Sequence, residues 1–556
     1  MIPSPDLDSL TPSQLKELVV RLLGEVAELK QTVAQQREEI ARLKGLKGRP
    51  QIKPSGMEQA TAPAGPKLAG SKPRRDKMRP RVKVQDRVLK ATVPPGSRFK
   101  GYETYVVQEL ELVVHAIRYR RERWVTPDGQ TIIAPLPEGT EGHFGPGLRR
   151  FVLMQYHQGQ STLPRLTALL QSVGLSISKR EVQRLLTEKH DDFLDEAREV
   201  LRAGLQTSPW ISVDRIAKRA DVPEGVCRTD TGARHQVKNG FCTQIGNQHF
   251  TWFGTRPSKS RLNFLDLLRA GHTDFVLNPA AFDYMRSHAL SATLIARLAE
   301  QPQTAFADQA AWQAHLDRLG FTGLATTPDP ADRFARHRFA SRPDPVQIAT
   351  EAAIWGSIHA HDFLRDTVVL SDDAGQFAVG RHALCWVHAE RLVHKLDAFT
   401  DHHRAAQQHV RKLIWAFYAD LKTYRTNPDQ RRRTALRARF DRIFRRRTGF
   451  ATLDRLLARL YANKAKLLTV LDCPDTPLNT NGSENDIRCQ VTRRKVSAGT
   501  RSDLGRDCRD TFLGLAKTCT KLGLAFWDYL GSRLRVPATP AIPPLPELVR
   551  CRGQPA

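Results

Sequence analysis

Cysteine is scarce in this chain, and its spacing argues against the frameworks that cysteine usually builds. Eight cysteines occur in 556 residues, and no two of them form a Cys-x-x-Cys pair. Disulfide scaffolds and cysteine-based zinc sites are therefore not expected. Residues 385–388, Cys-Trp-Val-His, are at most half a metal site. We interpret them as a packed cysteine beside a structural or DNA-facing histidine.

Long apolar runs are also missing. No stretch approaches the ~18 residues that a membrane span requires, although 40% of the residues are hydrophobic, which is enough for sizeable cores. Residues 1–6 have no basic start and no following apolar segment, so they do not resemble a secretory signal. We expect a cytoplasmic protein of several domains with no membrane partner.

Acidic residues are outnumbered by basic ones, 58 to 86, which gives a net charge of +28. Such an excess favours a polyanionic partner, most simply nucleic acid. Residues 47–100 are rich in proline and glycine and hold fifteen basic residues against three acidic ones. We predict a flexible basic linker that can lie along phosphates, with a merely solvated tether as the alternative.

Residues 1–46 carry a heptad repeat. One seam position is filled every seven residues by leucine or glutamine, and the other by β-branched residues. The first set is Leu15, Leu22, Leu29, Gln36 and Leu43, and the second is Val19, Val26, Val33 and Ile40. This pattern predicts a two-stranded parallel coiled coil and hence a homodimer. The alternative is an amphipathic helix packed on its own domain.

Two smaller units follow. Residues 101–146 alternate as strands do, at 104–107 and 111–114, and Pro-Asp-Gly at 127–129 predicts a hairpin, so we expect a small β-rich module. Residues 147–200 are helical. The segments 163–173 and 178–186, separated by Gly174, match a helix-turn-helix.

The second helix of that unit has a capping box formed by Ser178 and Glu181. It would present four polar side chains to a DNA groove, and plain helix packing is the alternative. These side chains are Lys179, Arg180, Gln183 and Arg184.

Three acidic residues stand in settings that suit a metal-bound carboxylate. Asp214 ends the apolar run 210–213, Asp372 follows the strand-like run 367–371, and Glu484 lies where a loop enters a helix. Any one of them alone would more often be a turn or cap residue. Together, two strand-end aspartates and a helical glutamate can hold two Mg²⁺ ions for phosphoryl transfer on nucleic acid.

The spacing of these acids sets the domain plan. Asp372 and Glu484 are 112 residues apart, so a helical block must fold out and back between them. We expect a multidomain α+β protein whose catalytic domain is built from residues 201–278, 348–385 and 471–535. The stretches 279–347 and 386–470 are then helical insertions, and 536–556 is a Pro-rich tail.

Two segments resemble conserved blocks of the insertion sequence 66 family of bacterial transposases. Residues 371–377 (Ser-Asp-Asp-Ala-Gly-Gln-Phe) with 384–391 (Leu-Cys-Trp-Val-His-Ala-Glu-Arg) resemble its second-aspartate block. Residues 477–488 (Pro-Leu-Asn-Thr-Asn-Gly-Ser-Glu-Asn-Asp-Ile-Arg) resemble its glutamate block. The resemblance covers most of residues 1–535.

This resemblance implies a ribonuclease-H-like mixed-sheet catalytic domain that binds two Mg²⁺ (or Mn²⁺) ions per site. Asp372 would be the second metal ligand and Glu484 the third. It also implies that Arg493, Arg494 and Lys495 lie near scissile or flanking phosphates, with a solvated charge run as the alternative. The family often has a cysteine-based zinc module, but residues 47–145 contain no cysteine, so no zinc is expected.

The first-aspartate block is split relative to the family pattern. Val213 and Asp214 match its left half and residues 230–235 its right half, with residues 215–229 between them. Because side chains alternate along a strand, the roles of Asp214 and Asp230 cannot be exchanged freely. We favour Asp214 as the first ligand, with Asp230 or a defective site as alternatives.

The resemblance as a whole implies a DDE-type transposase associated with the bacterial nucleoid. It would nick DNA at terminal inverted repeats and join the freed 3′-hydroxyl to target DNA. The coiled coil would help to pair two ends. The alternatives are a non-catalytic or decayed dimeric DNA-binding protein and a nuclease without strand transfer.

Overall fold

The computed structural model describes residues 84–92, 94, 96–110, 112–137, 142–215, 234–236, 238–321 and 344–553. The coiled coil expected at 1–46, most of the basic linker, Asp230 and residues 216–229 lie outside the described residues. Among the helices of the described part, none combines the length and apolar character needed to cross a membrane.

The hairpin predicted around Pro-Asp-Gly is confirmed. Strand β1 (Arg123–Val125) pairs antiparallel with β2 (Thr131–Ile133), and Gly129 supplies the left-handed turn residue with φ +81°. Two other stretches expected to be strands, 104–107 and 112–114, have no regular structure. Their side chains are exposed. The alternation of apolar and polar residues was therefore not sufficient to form strands here, because it must be matched by a partner strand and a surface to bury.

Residues 146–207 form helices that include the two expected from the helix-turn-helix pattern. The helices are α1 (Pro146–Leu153, continued by a π-helical turn at Met154–Gln158), α2 (Leu163–Ser172), α3 (Lys179–Thr187) and α4 (Asp191–Thr207). The capping box of Ser178 and Glu181 is present, and Gly174 adopts φ +96° between α2 and α3. Leu166 of α2 and Val182 of α3 are buried in the main core.

A five-stranded mixed sheet organises the following region. Its strands are β3 (Trp210–Arg215), β6 (Phe241–Gly246), β7 (Thr251–Arg256), β10 (Val368–Ser371) and β11 (Arg381–Leu384). Their order is β11-β10-β3-β6-β7. Strands β10 and β11 run parallel to β3, whereas β3, β6 and β7 are antiparallel neighbours. The short pairs are β4 (Arg234–His235) with β5 (Lys238–Asn239) and β8 (Phe275–Val276) with β9 (Ala305–Phe306).

The central strands are buried on both faces, because apolar residues run almost continuously along β3 and β10 and successive side chains point to opposite faces. Ile211, Val213 and Val369 join the main core on one face. Trp210 packs with Val368 and other residues of β10 and β11 on the opposite face. The helices between β7 and β10 are α5 (Arg261–Leu268), α6 (Pro279–Ser287), α7 (Ala292–Ala299), α8 (Gln309–Arg318) and α9 (Pro345–Ala360).

Residues 386–470 form a helical insertion, as the spacing of the acids predicts. Its helices are α10 (Trp386–His394), α11 (Asp401–Thr426), α12 (Gln430–Phe444), α13 (Ala451–Ala462) and α14 (Lys464–Leu467), followed by a 3₁₀ turn at Thr469–Leu471. The ring of Trp386 contacts those of Phe417 and Phe440, which gives the insertion a core of its own.

The last described region, residues 481–553, is mostly helical. Its helices are α15 (Asn481–Ser497), α16 (Asp503–Leu522), α17 (Phe526–Arg533) and α18 (Leu545–Gly553). The expected Pro-rich tail at 536–556 is therefore a wrong description of 545–553, since Leu545, Pro546 and Val549 are buried and α18 packs against α4. Except for Pro555, the prolines of this stretch lie before the helix or at its first positions, where they are tolerated.

Candidate active site

Parallel pairing of β3 with β10 brings Asp214 and Asp372 to the same edge of the sheet. The register aligns Trp210 with Val368 and Ser212 with Leu370, and each aspartate lies two residues further along its strand. Residues aligned in neighbouring strands point to the same face, and the strands are roughly 4.8 Å apart. We therefore expect the two side chains to lie on the same face, and both residues are half-buried.

Helix α15, which carries Glu484, packs against β3. Ser483, which precedes it, lies with its hydroxyl oxygen 2.5 Å from that of Ser212. Ser212 and Asp214 are two residues apart in β3, so their side chains share a face. Glu484 stands in the first turn of α15 and retains 19% exposure of its side chain. We call Asp214, Asp372 and Glu484 the carboxylate site.

Two cationic side chains of α10 contact Glu484. Its Oε1 atom accepts a hydrogen bond from Nη1 of Arg391 at 3.3 Å and lies 3.8 Å from Nε2 of His388. The start of α10 is fixed to the segment before α15, because the backbone N–H of Trp386 donates to the carbonyl of Leu478 at 2.9 Å. The insertion therefore positions groups that neutralise the glutamate.

The Cys-Trp-Val-His stretch now has a physical explanation. Burial alone would lower the pKa of His388, but its interaction with Cys385 and the negative charge of Glu484 raise that pKa above its usual range. Burial alone would raise the pKa of the Cys385 thiol, and its interaction with His388 outweighs this and lowers it. The Thr480 hydroxyl also donates to the sulfur of Cys385 at 3.5 Å. Cys385 is thus a packed residue and His388 a cation beside the carboxylate site.

Adjacent acids at the end of β10 have different surroundings. One carboxylate oxygen of Asp372 accepts the backbone N–H of Ala374 at 3.2 Å, which shapes the turn after the strand. The carboxylate of Asp373 pairs instead with Arg459 of α13. Asp373 therefore ties the strand end to the helical insertion, while Asp372 remains at the sheet edge.

Gln244 is a further polar residue next to Asp214, and no sequence motif singles it out. It is paired with Asp214 across β3 and β6, so the two side chains share a face with Cβ atoms roughly 4.5–5.5 Å apart. Gln244 is fully buried, and neither atom of its amide has a hydrogen-bond partner among the described residues. Its only signal in the sequence is a polar amide within the otherwise strand-like stretch 241–245.

The donor types suit a hard divalent cation, but the ligand atoms of the three acids do not all lie within 4.8 Å of one another. Three carboxylates supply the oxygen ligands that Mg²⁺ and Mn²⁺ prefer. An unpaired buried amide is costly unless it finds a polar partner, and Gln244 next to Asp214 could find one in a ligated water. Asp230, the alternative first acid, lies outside the described residues.

The four residues expected to contact DNA from α3 are on the surface. Lys179, Arg180, Gln183 and Arg184 are all exposed, while Val182 and Leu186 on the other side of the helix are buried. Arg184 pairs with Glu188 at 3.4 Å. The helix thus packs through its apolar face and leaves its basic face open to solvent.

The basic trio of α15 is divided. The Arg493 side chain is fully buried; it stacks on the ring of Tyr156 at 3.4 Å and donates to the carbonyls of Tyr156 and Ser161 at 3.0 and 2.7 Å. Assigning Arg493 to phosphate binding does not fit this burial, because its guanidinium faces backbone carbonyls. Arg494 is half-buried and Lys495 is exposed.

Comparison with known proteins adds a family relationship. A family model described as Transposase IS66 family matches residues 355–507, a range that contains Asp372 and Glu484. The chain is also 47% identical over 354 residues to "Uncharacterized protein y4jO" of Sinorhizobium fredii (strain NBRC 101917 / NGR234), which is 64% of this chain and 100% of that protein. No solved structure matches the chain significantly.

Proposed function

This chain belongs to the IS66 family of transposases, and we propose that it is a DDE-type enzyme. It would nick DNA at the ends of an insertion sequence and transfer the cut strands to target DNA. The proposal is supported by the parallel pairing of β3 with β10 and by the contact of α15 with β3, which would bring Asp214, Asp372 and Glu484 toward one face of the sheet.

The topology of the sheet supports a ribonuclease-H-like catalytic domain. Three antiparallel strands, β3, β6 and β7, are followed by two strands that add in parallel on the other side of β3. The helical insertion between β11 and α15 returns the chain to the carboxylate site. This arrangement explains how acids 112 residues apart in sequence can act together.

The carboxylate site would hold Mg²⁺ or Mn²⁺. When bound, two such ions would activate the attacking water and stabilise charge on the attacking and leaving oxygens. Asp214, Asp372 and Glu484 would supply the protein ligands. Arg391 and His388 orient Glu484 through the contacts at its Oε1 atom, and Gln244 offers a buried amide to a polar group beside Asp214.

DNA would be held largely by charge. The chain has a net charge of +28, and α3 leaves Lys179, Arg180, Gln183 and Arg184 exposed. Lys495 of α15 is an additional exposed cation, with the half-buried Arg494 beside it. We further propose that the N-terminal heptad repeat forms a homodimer that pairs two element ends.

The decisive experiment compares wild type with Glu484→Gln. We expect wild-type protein to nick terminal inverted-repeat DNA only with Mg²⁺ or Mn²⁺ and to join the 3′-hydroxyl to a target plasmid. Loss of a ligand oxygen should lower both rates by at least about a hundredfold. Glu547→Gln, on the exposed face of α18, is the matched control and should behave as wild type.

The remaining outcomes separate the other functions. Nicking without joining would identify a nuclease. Binding of the ends by wild type with no nicking under any divalent ion would identify a non-catalytic DNA-binding protein and would refute the proposal.

A further inference from the structure

A second group of metal-binding side chains lies outside the carboxylate site. His272, Asp274 and His361 each offer a ligand atom, and these atoms all lie within 4.8 Å of one another. His272 and Asp274 stand in the segment between α5 and β8, whereas His361 directly follows α9. We call these three residues the histidine cluster. Their convergence depends on the fold, because Asp274 and His361 are 87 residues apart.

The backbone holds the first two ligands in a tight turn. Ala270 and Gly271 adopt left-handed conformations with φ +50° and +91°, and the N–H of His272 donates to the carbonyl of Arg269 at 3.1 Å. The Arg269 side chain in turn donates to the carbonyl of Asp274 at 3.1 Å. These bonds fix the turn that carries His272 and Asp274.

The third ligand is fixed from the other side. The N–H of His361 donates to the carbonyl of Ser357 at 3.1 Å, as the last bond of α9. The residues that follow His272–Asp274 and His361, namely Phe275 and Phe363, are both buried to at least 98%. Buried aromatic side chains therefore anchor both segments, and the ligand positions are pre-organised.

The three side chains of the cluster influence one another electrostatically. Burial lowers the pKa of His272, and the neighbouring His361 lowers it further. Burial alone would raise the pKa of Asp274, but its hydrogen bond to His361 and the charge of His361 lower it overall. Metal ligands must be neutral histidines and ionised carboxylates, so a metal ion would compete with protons for the two imidazoles.

We propose that His272, Asp274 and His361 bind one divalent transition-metal ion of the class of Zn²⁺ or Co²⁺. Two imidazoles favour such ions over Mg²⁺, which prefers oxygen ligands. Three protein ligands leave a fourth position for water. The side chains of Asp274 and His361 are 28% and 31% exposed, so an ion can enter from solvent.

Binding requires one local rearrangement. The rings of His272 and His361 are stacked, with centroids 3.5 Å apart and planes 16° apart. A metal ion lies in the plane of each imidazole that binds it, so one ring must rotate out of the stack. The Nε2 atom of His361, which is 3.0 Å from the Asp274 carboxylate, must also give up that contact if it is the ligating atom.

The ion would cross-link two parts of the catalytic domain. It would join the segment before β8 to the end of α9, the helix that leads into β10 and Asp372. The scarcity of cysteine argues only against cysteine-based zinc sites and does not bear on a site of histidine and aspartate. This metal would be separate from the Mg²⁺ of the proposed reaction, so its test does not depend on nicking.

The test uses the full-length chain freed of metal by a chelator. Titration with Co²⁺ should give visible d–d absorption bands at one equivalent in wild type. His272→Gln, His361→Gln and Asp274→Asn should each weaken this binding at least about tenfold. His402→Gln, which changes an exposed histidine of α11, should bind as wild type does. Glu484→Gln should also retain the bands, because it alters only the carboxylate site.

A second measurement guards against misfolded variants. The Tm of each metal-free protein is recorded first, and Zn²⁺ should then raise the Tm of wild type but not that of His272→Gln. Wild-type Co²⁺ affinity in both histidine variants would overturn the proposal, as would bands lost in Glu484→Gln alone. Absence of Co²⁺ and Zn²⁺ binding in wild type would show that the cluster is only a hydrogen-bonded pair with a stacked ring.

Discussion

The hydroxyl oxygens of Ser212 and Ser483 lie 2.5 Å apart, although 271 residues separate them in the sequence. Ser212 lies on β3, two residues before Asp214, and Ser483 directly precedes Glu484 on α15. Both serines are buried, so the helix and the strand approach each other through small side chains. This contact sets the separation between the first and third acids of the carboxylate site.

Enlarging Ser212 should therefore damage activity more than stability. Ser212→Val adds bulk to a packed contact, which typically costs about 1–3 kcal/mol, and it would push α15 and Glu484 away from β3. We expect nicking to fall by at least about tenfold, because catalysis is sensitive to misplacements of about 1 Å. Nicking rates and urea unfolding of the same preparations measure the two effects. Ser212→Ala, which loses only about 1 kcal/mol of hydrogen bonding, should retain nicking; wild-type nicking by Ser212→Val would show that this spacing is not required.

The identity of the first acid can be decided by a matched pair of variants. Asp214 stands on β3 opposite Gln244, whereas Asp230 is outside the described residues. We expect Asp214→Asn to abolish Mg²⁺-dependent nicking, since it removes an anionic ligand beside Asp372, and Asp230→Asn to retain it. Mg²⁺ titrations of nicking measure both. The reverse result would assign the role to Asp230 and would imply that the chain after β3 folds back to the site.

Local patterns in the sequence are sufficient to predict the strands β3 and β10, near whose ends Asp214 and Asp372 lie. Asp214 and Asp372 follow short apolar runs that became neighbouring strands, and the capping box at Ser178 was legible from two residues. Short strands and helix caps depend on residues that are close together in the chain, so a short stretch of sequence is enough to predict them. Strand β11, by contrast, reads Arg-His-Ala-Leu and forms because β10 offers it a parallel partner.

Features that depend on distant contacts could not be predicted in this way. Gln244 matters only because the register sets it opposite Asp214. Arg493 was expected on the surface as part of a basic trio, but its partners Tyr156 and Ser161 lie more than 330 residues earlier in the chain. A run of charged residues predicts that their side chains are exposed, unless carbonyl groups distant in the sequence accept hydrogen bonds from one of them.

Replacement of Arg493 should lower stability and leave DNA binding unchanged per folded molecule. Arg493→Met removes the donors to two buried carbonyls, which typically costs about 1–3 kcal/mol for each group left unsatisfied. Lys495→Ala, at an exposed position on the same helix, is the contrasting variant. If Lys495 contacts a phosphate, the slope of log K for DNA binding against log salt should become less steep by about 1 in this variant. Urea unfolding and DNA binding at several salt concentrations test both variants; unchanged stability of Arg493→Met would contradict the buried role.

Exposed cations on α3 should contribute to DNA affinity without affecting the fold. Arg180→Ala removes a charge from the solvent-facing side of this helix and should weaken DNA binding without lowering the Tm. If Arg180 contacts a phosphate, its loss should make the slope of log K against log salt less steep by about 1. If it contacts a base, its loss should instead relax specificity at one position of the DNA site. Arg165→Ala is a matched control on α2, also exposed. Equal DNA binding by wild type and Arg180→Ala would assign α3 to helix packing alone.

His382 should make the protein less stable as the pH falls below neutrality. Its Nε2 atom is 2.7 Å from the hydroxyl oxygen of Ser371, and that hydroxyl donates to the carbonyl of Asp372 at 2.6 Å. His382 therefore donates from Nε2, and its Nδ1 atom is buried with no hydrogen-bond partner in the described part of the chain. Burial, with a smaller effect from Lys466, lowers the pKa of His382 to about 4.

A histidine whose pKa is lowered on folding stabilises the protein above its unfolded pKa of about 6.5, and this stabilisation is lost as the pH falls toward 4. The shift corresponds to a loss on the order of 3 kcal/mol over that window. His382→Gln keeps a donor for Ser371 but does not titrate, so its free energy of unfolding should depend less on pH than that of wild type. The two proteins are compared by urea unfolding at pH values from roughly 4.5 to 7.5, which cover most of the range over which His382 should lose its stabilising effect. His402→Gln should retain the wild-type dependence, and identical curves for wild type and His382→Gln would show that His382 does not govern the acid sensitivity of the strand end that carries Asp372.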